Sequence, residues 1–80
     1  MTDERFLLLI EKCSMRNFME AHQMLDEVTS DTLLSAVHSL LVKADSLFMY
    51  KTRANYCEQL AHQIGAVLRI RGVDVSHLFA

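Results

Sequence analysis

Four histidines and two cysteines are the residues whose types could bind a metal ion. The histidines are separated by 16, 24 and 15 positions, at His22, His38, His62 and His77. Structural zinc sites usually place their ligands in close sequence pairs such as Cys-x-x-Cys, and neither Cys13 nor Cys57 belongs to such a pair. We therefore expect no metal site and no other cofactor, and we interpret both cysteines as small core residues with free thiols.

An acid–base pair is the second candidate for chemistry. Glu58 and His62 are four residues apart, a spacing that places two side chains side by side on a helix. Such a pair can transfer protons or sense pH. No nucleophile or oxyanion-binding group is placed beside it, and two glycines are too few for a phosphate-binding loop. We interpret the pair as part of a solvated helix face and predict that the protein is not an enzyme.

The composition restricts the elements that must carry these residues. The 80-residue chain is 51% hydrophobic and 22% charged with a formal net charge of −2, which indicates one folded domain over residues 1–80. With no proline and two glycines, the chain lacks the turn residues of a strand-rich fold. The longest apolar run, residues 6–10, is far shorter than the roughly 20 residues of a membrane span. No basic signal region precedes it, so we expect a cytoplasmic protein without a membrane partner.

Apolar periodicity predicts helices at about residues 3–13, 15–28, 31–50 and 53–71. Apolar residues recur at every seventh position from Leu33 to Leu68, so the last two helices could also be one long helix. The usual length of helices favours a turn near residues 51–53. The predicted fold class is all-α: a small bundle or hairpin of three or four helices, completed by dimerisation.

Residues that stop and start helices mark the predicted boundaries. Ser14 and either Thr29 or Ser30 are expected to cap the second and third helices. Gly72 stands where the residue after the last helix is expected, with Arg69 and Arg71 in the final turn.

The apolar residues exceed what one small core requires. Residues 6–10, 40–42 and 47–50 are consecutive apolar runs that point to more than one side of a helix. A domain of this size would leave part of that surface exposed, so we expect a homodimer joined along the stripes of residues 33–48 and 54–68. A compact monomer is the alternative. The residues predicted for the dimer contact are Leu34, Leu41, Phe48 and Tyr50.

A second protein is the other partner that we expect. Methionines concentrate on the second helix, and methionine-rich helices can form adaptable contact surfaces. Large apolar residues also follow the last helix. The predicted partner-binding residues are Met19, Met24, Leu78 and Phe79. The function that follows is a non-enzymatic interaction module acting as an adaptor, chaperone or inhibitor of another protein.

A small transcriptional regulator that binds nucleic acid is the alternative hypothesis. Four bases would carry that function: Lys51, Arg53, Arg69 and Arg71. The acidic net charge and the lack of a complete helix-turn-helix pattern disfavour it.

Overall fold

A computed structural model describes residues 2–12 and 14–79 and shows an all-α fold. The helices of this part of the chain are α1 (Thr2–Glu11), α2 (Met15–Gln23), α3 (Ser30–Ser46) and α4 (Lys51–Ile70). Short 3₁₀ turns follow α2 at Leu25–Glu27 and α4 at Ser76–Leu78. The all-α class and the four helices are confirmed. The predicted end of the first helix at residue 13, and the core position predicted for Cys13, lie outside the described residues.

The four helices form two hairpins that pack against each other. The α3–α4 hairpin has the most extensive contact, α1 lies beside α3, and α2 lies beside α4. The Lys43 ammonium donates to the Glu11 carbonyl near the C-terminal ends of α3 and α1 (3.3 Å). On the other side, Phe18 of α2 stacks on Tyr56 of α4 with ring centroids 5.9 Å apart. The side chains between the hairpins form one core, whose largest members are Phe6, Phe18, Ile10, Leu33, Leu40, Ile64 and Leu68.

The apolar stripe that repeats every seven residues folds back on itself within one chain. It runs along α3 and then along α4, and eight of its members expose 7% of their surface or less: Leu33, Val37, Leu40, Ala44, Cys57, Ala61, Ile64 and Leu68. Leu47 and Ala54, the members nearest the turn, are half-buried. The break between the two helices lies at residues 47–50, earlier than the predicted 51–53. One continuous helix would have left both halves of the stripe uncovered. The turn lets each half bury the other, so hydrophobic burial settles the choice between one helix and two.

The predicted caps are confirmed at three of the boundaries. The Ser14 hydroxyl accepts a hydrogen bond from the Asn17 amide (3.2 Å), and the Thr29 hydroxyl accepts one from the Thr32 amide (3.4 Å). Gly72 has a φ of 84°, the left-handed conformation that glycine adopts most easily. The Gly72 and Val73 amides then donate back to the last turn of α4, which ends the helix. The second helix is shorter than predicted, because it ends at Gln23 before the first 3₁₀ turn.

Candidate protein-binding surface

The two ends of the bundle differ in chemistry. Since α1 and α2 run antiparallel, as do α3 and α4, the C-terminal ends of α1 and α3 and the starts of α2 and α4 lie at the same end. We call this the apolar end, because it carries the exposed run of residues 48–50. At the opposite end lie the start of α1, the segment 25–30 and the end of α4. We call that one the capped end.

The carboxylate of Asp3 joins α1 to the start of α3 at the capped end. It accepts hydrogen bonds from the Thr29 hydroxyl (2.6 Å), the Thr32 hydroxyl (2.9 Å) and the Thr29 amide (3.4 Å). These bonds favour the ionised form, the Thr29 hydroxyl contributing most, and they lower the pKa of Asp3 below its usual 3.8. The negative charge also lies at the N-terminus of α3, where the helix dipole favours it.

Arg71 ties the end of α4 to the segment before α3. Its guanidinium donates to the carbonyls of Val28 (2.8 Å) and Leu25 (3.2 Å) and to the Ser30 hydroxyl (3.3 Å). The predicted role of Arg71 in the last helical turn therefore includes a long-range contact that its position in the sequence does not reveal.

The apolar end exposes three large side chains in a row. Phe48 is 75% exposed, Met49 77% and Tyr50 62%. The Tyr50 amide donates to the Leu47 carbonyl (2.8 Å), which closes the turn, and no side chain caps the N-terminus of α4. The Arg53 guanidinium carbon lies 5.9 Å from the centroid of the Tyr50 ring, within the range of a cation–π contact.

A groove between α2 and α4 is the most enclosed of the five recesses found on the described residues, although its volume is the smallest. We call it the α2–α4 groove; its volume is about 200 Å³, and it is lined by Phe18, Met19, His22, Gln23, Tyr56, Gln59, Leu60 and Gln63. The stacked rings of Phe18 and Tyr56 and the side chain of Leu60 contribute its apolar part. Amide groups of three glutamines and the His22 imidazole supply the polar groups, with no carboxylate, lysine or arginine among the lining residues. The volume is smaller than the roughly 300 Å³ at which small-molecule pockets begin.

The four residues predicted to bind a partner protein occupy different environments. Met19 lines the α2–α4 groove and is 54% exposed. Met24, Leu78 and Phe79 are half-buried and pack against the core of the same chain. The Phe79 ring stacks on His62 with centroids 4.7 Å apart. Of the four, Met19 is therefore the most available to another molecule.

Gly65 explains how the C-terminal segment docks on α4. A Cβ atom at Gly65 would lie 2.9 Å from Cε2 of Phe79, so the missing side chain makes room for the ring. Val75, one turn earlier in the segment, is 2% exposed. The segment after α4 is thus part of the fold.

The four residues predicted for a dimer contact also differ in their exposure. Leu34 and Leu41 are half-buried and pack against the core of their own chain, whereas Phe48 and Tyr50 are exposed at the apolar end. The stripes of residues 33–48 and 54–68 are occupied by the contact between α3 and α4. A dimer contact along those stripes would have to open the monomer core.

The four bases of the nucleic-acid hypothesis lie at opposite ends of α4. Lys51 and Arg53 are in its first turn, while Arg69 and Arg71 are at its end, about 27 Å from Lys51 at the rise of an α-helix. Arg71 is also engaged with the backbone of the capped end. The structure does not combine these bases into one surface.

No group of three histidine, cysteine, aspartate or glutamate side chains has the arrangement of a metal site within residues 2–12 and 14–79. Glu58 and His62 both lie exposed on α4, and the recorded ring contact of His62 is with Phe79. Cys57 is buried in the core, as predicted from its place on the stripe. Among the helices of the described part, none combines the length and hydropathy that crossing a membrane requires.

Sequence reasoning missed most of the α2–α4 groove. Tyr56, Gln59 and Gln63 follow one another at spacings of three and four, so their common face on α4 could have been recognised. Their pairing with His22 and Gln23 depends on α2 lying beside α4, which no local pattern encodes. Met49 was recognised within an apolar excess but was not included among the predicted contact residues.

The chain thus belongs to the structural class of small all-α bundles. Comparison with protein-family models, with curated proteins and with solved structures finds no match.

Proposed function

We propose that this chain acts without catalysis, by binding another protein through the α2–α4 groove. An adaptor, a chaperone and an inhibitor all require such a contact surface, and the partner's identity distinguishes these roles. The observation that carries the proposal is a groove with an apolar, aromatic base beside exposed methionines. Met15 and Met19 are 53% and 54% exposed on the same helix.

The shape and chemistry of the groove fit an apolar side chain carried on a partner helix. A recess of about 200 Å³ is small for a free ligand. Helix-in-groove recognition inserts individual anchor side chains into recesses between helices. Methionine adjusts to the shape of an anchor at low energetic cost. Glutamine side chains at the edge can pair with the polar groups that flank such an anchor.

Self-association stays a prediction, and the location of its contact changes. The stripes are buried within one chain, and Leu34 and Leu41 are half-buried, so Phe48 and Tyr50 are the predicted dimer residues with most exposed surface. Of the four residues predicted for a homodimer contact, Phe48 and Tyr50 are therefore the two that remain accessible to a second copy.

Quantitative affinity capture with a charge-inserting variant tests the groove. Met19→Glu places a carboxylate at its edge, and Val42→Glu is the matched control because Val42 is also 54% exposed but lies on α3. We expect a protein from the native host that is retained by the unmodified chain and by Val42→Glu and is lost with Met19→Glu. Circular dichroism checks that both variants keep their helices. If Met19→Glu retains every protein that the control retains, the groove is not the contact surface.

A further inference from the structure

The apolar end has a shape unlike that of the groove. Phe48, Met49 and Tyr50 expose most of their surface on the turn between α3 and α4, and none of them lines a cavity described in this chain. A protruding apolar turn offers no recess for a partner's side chain. Its occupant must instead take up the protruding side chains, as a fluid lipid interface does.

The residue types of the turn match the chemistry of that interface. Phenylalanine and methionine transfer readily from water into an apolar layer. Tyrosine has an apolar ring and a hydroxyl, a combination that favours the boundary between headgroups and acyl chains. Lys51 and Arg53 follow directly, and long basic side chains can lie along the interface while their charges reach headgroup phosphates.

The two ends of the bundle carry net charges of opposite sign. The two connections with their flanking turns, residues 11–16 and 43–53, carry a net charge of +3 from Lys12, Arg16, Lys43, Lys51 and Arg53 against Glu11 and Asp45. Arg16 is paired with Glu20 (3.6 Å), and counting that carboxylate leaves a net charge of +2. The capped end, residues 2–5, 26–31 and 69–74, carries a net charge of −3 from six acids and three bases. Electrostatic attraction to anionic lipid would orient the protein with its apolar end first.

From these observations we propose that the apolar end docks on an anionic lipid surface as a peripheral contact. Phe48 and Met49 enter the interface, Tyr50 lies at its boundary, and Lys51 and Arg53 contact headgroup phosphates. A second copy of the chain fits less well, because a symmetric contact would bring the Lys51 and Arg53 side chains of both copies together. This inference uses a different surface from the α2–α4 groove, so either proposal can fail without the other.

A single tryptophan placed on the turn tests the proposal, because the chain has none of its own. Phe48→Trp reports entry into lipid by a blue shift of its emission, and Ile70→Trp is the control because Ile70 is 87% exposed at the capped end. Vesicles of phosphatidylcholine are used with and without anionic phosphatidylglycerol, at about 50 mM salt, where screening is weak. We expect a shift for Phe48→Trp with the anionic vesicles alone and no shift for Ile70→Trp.

Co-sedimentation with the same vesicles measures the contributions of charge and apolar surface separately. Lys51→Gln with Arg53→Gln should weaken binding ~30-fold, since each basic residue near an anionic membrane contributes about 1 kcal/mol. Phe48→Ser with Met49→Ser should abolish the lipid contact, while Arg69→Glu at the capped end should change binding less than ~2-fold. Circular dichroism confirms the fold of each variant.

Three results overturn the proposal. One is an unchanged Phe48→Trp emission with anionic vesicles. Another is equal binding to vesicles with and without phosphatidylglycerol. The third is a blue shift that grows with protein concentration in the absence of lipid, which would assign the apolar end to a second copy of the chain.

Discussion

The two ends of this bundle both consist of helix ends and short connections, but they differ in the contacts that these segments make. At the capped end, Asp3 and Arg71 reach across the sequence and satisfy hydroxyl and backbone groups near the start of α3. At the apolar end, the turn between α3 and α4 has no side-chain cap, and its large residues face outward. The first end is held by directional polar contacts, and the second is left with apolar surface unused by the fold.

This difference separates the residues that stabilise the bundle from those whose exposed surface is available to another molecule. In the isolated chain, apolar and polar groups stabilise the native state only where they are buried against, or hydrogen-bonded to, other groups of that chain. Phe48, Met49 and Tyr50 have most of their surface in water, so the fold gains little from them. Their exposure is better explained by a contact outside the chain than by the stability of the bundle.

The largest effect is expected at Arg71. Arg71→Met removes a charged donor and leaves the Leu25 and Val28 carbonyls without that partner, so we expect the free energy of unfolding to fall by about 2 kcal/mol. Urea denaturation followed by circular dichroism measures the change.

Arg53→Met is the matched control at the apolar end, because the contact found for Arg53 among the described residues is the cation–π contact with Tyr50. We expect a change below about 0.5 kcal/mol for it. If the free energy of unfolding falls equally in the two variants, the capped end is not held by polar contacts any more than the apolar end.

A smaller effect, confined to acid, is expected at Asp3. Hydrogen bonds lower its pKa in the folded state, so the stability it contributes is complete well above 3.8 and is lost as the pH falls below 3.8 through the folded pKa. Asp3→Asn should therefore melt at a lower temperature than the unmodified chain near neutral pH. The difference between the two should shrink as the pH is lowered to about 3.

Asp74 is the control for this acid effect. Its pKa is also lowered, chiefly by the Ser76 amide, so it contributes to the same pH range from the segment after α4. Asp74→Asn should leave unchanged the contribution of Asp3 to the stability of the fold and the dependence of that contribution on pH. A difference between Asp3→Asn and the unmodified chain that stays constant from neutral pH to about pH 3 would show that the ionised carboxylate does not hold α1 to α3.

Local chemistry made much of the fold predictable. The caps at Ser14 and Thr29 and the left-handed Gly72 depend on neighbouring residues only, and the sequence pattern located them. The length of α3 was overestimated, because apolar residues 48–50 continue the helical pattern although they lie in a turn. Periodicity records which residues are apolar and does not distinguish a core contact from an exposed one.

The candidate surfaces were less predictable for the same reason. Met19 and Met24 look equivalent in the sequence, but one lines the groove and the other packs on the core. The outcome depends on which helix lies beside α2. Likewise, the long-range contacts of Asp3 join it to residues 26 and 29 positions away, and those of Arg71 join it to residues 41 to 46 positions away, so no local spacing indicates them.

The smallest effect on stability is expected at the apolar end. It tests most directly the central claim that the exposed residues of this end do not contribute to folding. Phe48→Ser with Met49→Ser removes two large apolar side chains from the turn, and urea denaturation gives the resulting free energy of unfolding. If these residues serve contact rather than folding, the value should stay within about 0.5 kcal/mol of the unmodified chain, as for ordinary surface substitutions. A loss of about 2 kcal/mol or more, typical of buried side chains, would contradict the claim.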